Sequence, residues 1–107
     1  MIRLRETTEV ARPIDEVFAY VSNFGNAVQW DPGVAESRKA SAGPIGVGTA
    51  FKLQVRFGPR SIPMEYVIRE FDRPRRVLLE GKSDSVHALD DIAFAAMPRG
   101  TRITYTA

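Results

Sequence analysis

A chain of 107 residues, 44% hydrophobic and 26% charged, is sized for one domain with one core, and none of its apolar runs approaches the ~20 residues needed to span a bilayer. The absence of cysteine excludes disulfides, thiolate metal sites and a cysteine nucleophile. The formal charge of +2 is carried by scattered side chains such as Arg3, Arg5, Arg38 and Lys39, without the basic stripe that a nucleic-acid partner would require. The opening MIRLRETTEV alternates apolar and polar residues and lacks the apolar core and cleavage site of a signal peptide. A cytoplasmic protein without stable membrane insertion is expected.

Residues 2–10 read as a half-buried strand with Ile2, Leu4, Thr8 and Val10 on one face. The period then changes to that of a helix. Pro13 suits a helix start, Asp15 and Glu16 favour its positive end, and Ile14, Val17, Phe18 and Val21 recur at helical spacing. Asn23 and Gly25 terminate it, and residues 26–30 make one further turn before Asp31-Pro32 forbids continuation. Everything after Gly33 reads as sheet. In residues 49–57, Thr49, Phe51, Leu53, Val55 and Phe57 alternate with Ala50, Lys52, Gln54 and Arg56, the clearest period-two pattern in the chain. Gly58-Pro59 turns into a strand over 62–71 with Met64, Tyr66 and Ile68 on one parity. Asp72-Arg73-Pro74 turns into R-V-L-L-E-G-K-S, a further strand covers 86–96, and Pro98-Arg99-Gly100 leads to the last strand. The sum is an antiparallel meander. Its apolar concave face needs a cover, from a helix, a partner chain or a bound apolar molecule.

The segments Pro13 to Tyr20, Phe24 to Gly33 (FGNAVQWDPG), Gly43 to Thr49, Phe71 to Arg75 and Gly100 to Tyr105 resemble, in this order, the SRPBCC (START-like) superfamily and within it the polyketide cyclase/dehydrase-like group. The resemblance spans nearly the whole chain and implies an α+β helix-grip fold: a curved antiparallel sheet, two short N-terminal helices and a hydrophobic cavity. Relatives add a long C-terminal helix after the last strand, whereas this sequence stops at Ala107. A truncated domain is the favoured expectation; a shortened protein that forms a homodimer over its sheet, or a reduced domain with a shallow groove, are the alternatives.

By parity, Phe51, Leu53, Val55 and Phe57 face the concave side together with Met64, Tyr66, Leu79, Ile92 and Tyr105. The same side chains would make plain core in any sheet protein; only the resemblance turns them into a ligand wall. Trp30 belongs at the cavity entrance, its indole N–H meeting water or a backbone carbonyl. Asp90 and Asp91 point to opposite faces, so they cannot form a carboxylate pair, and Asp90 goes inward if it shares the parity of Ile92 and Phe94. There desolvation would raise its pKa and make it an acid or a ligand hydrogen-bonding group. His87 is a base candidate at the start of a strand. The chain has one His and no carboxylate cluster at ligand spacing, so no metal or cofactor is expected; residues 43–48 lack the helix and Lys-Ser/Thr of a phosphate loop, and no G-x-S-x-G is present. The resemblance implies binding of a small hydrophobic or aromatic molecule, polyketide-, lipid- or quinone-like. A cyclase or dehydrase activity would use Tyr66, Asp90 or Tyr105 for protons. The contrasting function is a protein-interaction or dimerisation module built on the uncovered sheet.

Overall fold

The computed structural model describes residues 4–107; Ile2, assigned above to the first strand, lies outside the described residues. Seven strands form one antiparallel sheet: β1 (Arg5–Val10), β2 (Val34–Lys39), β3 (Ala50–Phe57), β4 (Arg60–Asp72), β5 (Arg76–Lys82), β6 (His87–Met97) and β7 (Gly100–Thr106). Their order across the sheet is β1-β7-β6-β5-β4-β3-β2. The segments expected to be strands are strands, and the structure adds β2, whose VAESRK offers too little apolar alternation to delimit from sequence.

Strands β2 to β7 are a meander, each paired with the next in sequence. Two-residue turns at Gly58-Pro59 and Pro98-Arg99 close the β3–β4 and β6–β7 hairpins, through the pairs Phe57↔Arg60 and Met97↔Gly100. Register shifts between Val34 and Glu36, and between Ile68 and Glu70 inside the 13-residue β4, are the irregularities that bend the sheet.

Strands β1 and β2 lie at opposite edges, so the 11–33 segment between them has to cross the sheet. It crosses on the concave side, carrying α1 (Ile14–Ser22) over β6 and β7, then a 3-10 turn at Phe24–Asn26 and α2 (Ala27–Trp30) over β2. Helix α1 starts after Pro13 in extended conformation and has Asp15 and Glu16 in its first turn, where they complement the helix dipole. It buries Val17, Phe18 and Val21, and Phe18 sits edge-on to Phe71 and Phe94 at 5.2 and 5.1 Å between ring centroids. Asn23 ends the helix by accepting from Gly25 N–H at 3.1 Å. Ser37 ties the crossing to β2, accepting from Val28 N–H at 3.0 Å and donating to the Gly25 carbonyl at 2.8 Å. These bonds set where α2, and hence Trp30, is held.

The first strand is pinned to the last by close backbone approach. Gly100 has φ +150°, and a Cβ there would lie 2.0 Å from the Val10 carbonyl oxygen, so only glycine fits. Beside it the buried Thr101 hydroxyl donates to the Arg12 carbonyl at 2.8 Å.

Candidate functional site

Most of the concave face is consumed as core. Phe24 packs at 6.2 Å from Phe51 and 5.2 Å from Tyr66, and Leu53, Met64 and Leu79 are buried with them. The crossing segment fills the space over β3 to β5, so these predicted ligand contacts are structural packing and do not line the main cavity. Val55 is half-buried, and Phe57, 47% exposed, has run past the covered part of the sheet to a hairpin tip.

What the crossing leaves open lies over β1, β7 and β6. There a cavity of about 740 Å3 is walled by Val10, Val17, Val21, Ile92 and Ile103, with Trp30 and Tyr105 at 6.1 Å and a 72° interplanar angle. Of the predicted contacts it brings together Trp30, Ile92 and Tyr105. It adds residues for which sequence reasoning assigned no site role: Val10 and Thr8 from β1, Val17 and Val21 from α1, and Glu6 and Asp31. The signal for the β1 residues lay in cross-strand register, which sets Thr8 opposite Ile103 and Glu6 opposite Tyr105. A second depression of similar size, about 730 Å3, touches Leu53 and Met64, but its other walls include Lys52, Glu65 and Lys82. Its charged surroundings suit solvent better than an apolar guest.

A family model described as polyketide cyclase / dehydrase and lipid transport matches residues 1–107. The chain belongs to that family. No match was found among curated protein sequences. Among solved structures, a START superfamily protein from Mycobacterium smegmatis superposes with a TM-score of 0.78 at 16% identity, over 97% of this chain and 73% of that one. The Zhui aromatase/cyclase from Streptomyces sp. R1128 gives 0.77 at 14% identity, over 98% of this chain and 65% of that one. The di-domain ARO/CYC BexL from the BE-7585A biosynthetic pathway gives 0.72 at 16% identity, with this chain covering 34% of its length. At such identities the likeness establishes the fold, a START-like curved sheet gripped by short helices.

Within this family member's site, Asp90 is the one strongly buried carboxylate, 4% exposed, on the face it shares with Ile92 and Phe94. It stands behind Tyr105 as seen from the cavity, and the Tyr105 hydroxyl donates to its Oδ2. Burial pushes the Asp90 pKa up to about 6; the Tyr105 hydrogen bond pulls it down, and the Asp31 charge adds to the rise. Tyr105 and Tyr66 are both driven above the usual phenol range, first by burial and then by the Asp90 charge. At neutral pH both phenols therefore keep their protons, so Tyr105 can donate a hydrogen bond or a proton but cannot serve as a base. Tyr66 finds only the Met64 sulfur, at 4.0 Å, and does not face the cavity.

No backbone carbonyl meets the buried Trp30 indole N–H, because α2 lays the ring against Phe24 and Tyr105. The expectation for His87 is corrected. His87 lies on the outer face, its Nε2 2.6 Å from Glu80 Oε2, away from any cavity-side chemistry. Asp91 is likewise outside, in a two-pronged pair with Arg76 at 2.9 Å on each arm. Among the described residues no group of three His, Cys, Asp or Glu could hold a metal ion, and no helix is long and apolar enough to cross a membrane.

Proposed function

We propose that the chain binds a small hydrophobic or aromatic molecule in the cavity between α1, β1 and β7. The observation that carries this reading is the 740 Å3 space itself, apolar on most sides and backed by the Trp30–Tyr105 pair. Its size falls within the roughly 300–1,000 Å3 common for small-ligand sites. Membership of a polyketide cyclase / dehydrase and lipid transport family agrees with such a guest.

A cyclase- or dehydrase-like activity would use the same parts. The walls would fold a flexible poly-ketone so that its reacting carbons meet, and orientation would supply much of the rate. With Asp90 in its protonated form, the carboxylic acid would donate to the phenol oxygen while the Tyr105 hydroxyl turns its single proton to the carbonyl oxygen on which negative charge develops; the proton passed to the substrate is then replaced from Asp90, which is left as the carboxylate. That assigns Tyr105 the direct contact and Asp90 a positioning role.

Trp30 is the only tryptophan in the chain, so its emission reports on the cavity directly. Titration with 2-naphthol should change Trp30 fluorescence saturably. In calorimetry, Trp30→Ala should weaken 2-naphthol binding roughly tenfold, the loss of one aromatic wall. A folded Trp30→Ala protein with undiminished affinity would place the ligand elsewhere.

A further inference from the structure

The apolar cavity carries a charge pattern that hydrophobic binding alone does not require. Along β1, Glu6 occupies the face shared by Leu4, Thr8 and Val10, a position where alternation calls for an apolar residue, and it stands opposite Tyr105 in the register. Asp31 lines the same space from the exit of α2, its Oδ1 accepting from Gly33 N–H at 2.8 Å. Among the described residues neither carboxylate has an ion-pair partner. Glu16 also borders the opening and meets Arg12, the one cation there among the described residues, at 3.8 Å. Among the described residues, three carboxylates and one guanidinium thus rim an apolar hole in a chain whose formal net charge is +2. A low-dielectric wall behind charges of one sign focuses their field into the cleft.

Independently of those carboxylates, the back wall is aromatic. Trp30 and Tyr105 present π-systems whose faces attract cations, and Tyr20 adds a third ring to the lining. Asp90 contributes further negative charge one layer deeper, behind Tyr105. The Asp31 charge is felt through this layer, since it shifts Asp90, Tyr66 and Tyr105 alike.

We infer that the cavity selects apolar or aromatic ligands bearing a protonated amine over carboxylates of the same size, with Glu6 and Asp31 as the counter-charges and Trp30 and Tyr105 as the aromatic wall. A fatty acid is the guest this rim disfavours. The inference rests on the cavity being the ligand site, as proposed above.

Three probes of one length separate the two ideas: octylammonium, octan-1-ol and octanoate, titrated against the intact chain at low ionic strength with Trp30 emission and calorimetry as readouts. Octylammonium should bind roughly tenfold tighter than octanoate, and added salt should shrink that ratio. The double variant Glu6→Gln/Asp31→Asn, in which the new amide oxygen can still accept from Gly33 N–H, should bring the ratio close to one. Octanol binding accompanied by no preference for the amine, or a ratio the double variant leaves unchanged, overturns the charge selection while the cavity reading stands. Failure of all three probes to bind overturns both.

Discussion

Replacing Asp90 with asparagine is expected to stabilise the protein at neutral pH by roughly 1–3 kcal/mol. The buried carboxylate ionises at about 6 in the folded chain, against the ordinary aspartate value of 3.8. A folded-state pKa above the unfolded one means that the unfolded chain releases the proton first as pH rises. Stability from this group is therefore full below about pH 3.8, declines between 3.8 and 6, and stays low above that window. The whole decline, about 2 units at 1.36 kcal/mol each, amounts to about 3 kcal/mol. Asparagine removes the charge and its amide oxygen can still accept from Tyr105, while any amide N–H left unpartnered costs free energy, hence the lower end of the range. Urea denaturation across pH 3.5–7 should show the wild type losing stability relative to Asp90→Asn over that span. Glu80 does not blur the comparison: its pKa is lowered by His87 and Arg69 on the outer face, in both proteins alike. Parallel curves for the two proteins would show that Asp90 is hydrated rather than buried. If the chain is a cyclase, the same variant should lower turnover while it gains stability, the trade-off expected where a strained group serves function.

The second large effect concerns Gly81, which faces Tyr66 across the β4–β5 pairing. A Cβ at Gly81 would lie 2.4 Å from Tyr66 Cε2 and 2.5 Å from Cζ, well inside any tolerable contact. Relief by ring movement is blocked, because Phe24 packs on the ring at 5.2 Å and Tyr66 is buried. Gly81→Ala should accordingly cost about 3 kcal/mol, the upper end of overpacking penalties. Gly46→Ala, with nothing within 4 Å of the added methyl, is the control and should move stability by no more than about 0.5 kcal/mol. Adding Tyr66→Leu to Gly81→Ala should recover part of the loss, since the two changes share one contact. Equal denaturation midpoints for the Gly81 and Gly46 variants would show that the ring yields freely.

How much of this could be read from the residues differs between fold and site. The alternation of Thr49 to Phe57, the Gly58-Pro59 and Pro98-Arg99-Gly100 turns and the helical spacing of Ile14, Val17, Phe18 and Val21 are local signals, and each element they predict is present. The inward turn of Asp90 was legible for the same reason, because parity with Ile92 and Phe94 is a property of one strand. The cavity's position was not. Whether Phe51, Leu53 and Leu79 are pocket or core depends on where residues 11–33 cross the sheet, and no periodicity within β3 or β5 encodes that path. Glu6 was passed over because its role appears only when β1 is laid beside β7, a pairing that joins residue 5 to residue 106.

That pairing has a kinetic and entropic side. The meander from β2 to β7 can zip up through neighbouring hairpins, whereas β1 docks by closing nearly the entire chain: the Thr101–Arg12 hydrogen bond joins residues 89 positions apart. Gly100 leaves no slack at the join. Since Glu6, Thr8 and Val10 come from the docking strand and Ile103 and Tyr105 from the strand that receives it, the cavity does not exist until the loop is shut. For a ligand bound there as proposed, occupancy and closure are one equilibrium, and each factor of ten in its concentration above the dissociation constant adds about 1.4 kcal/mol to holding β1 against β7.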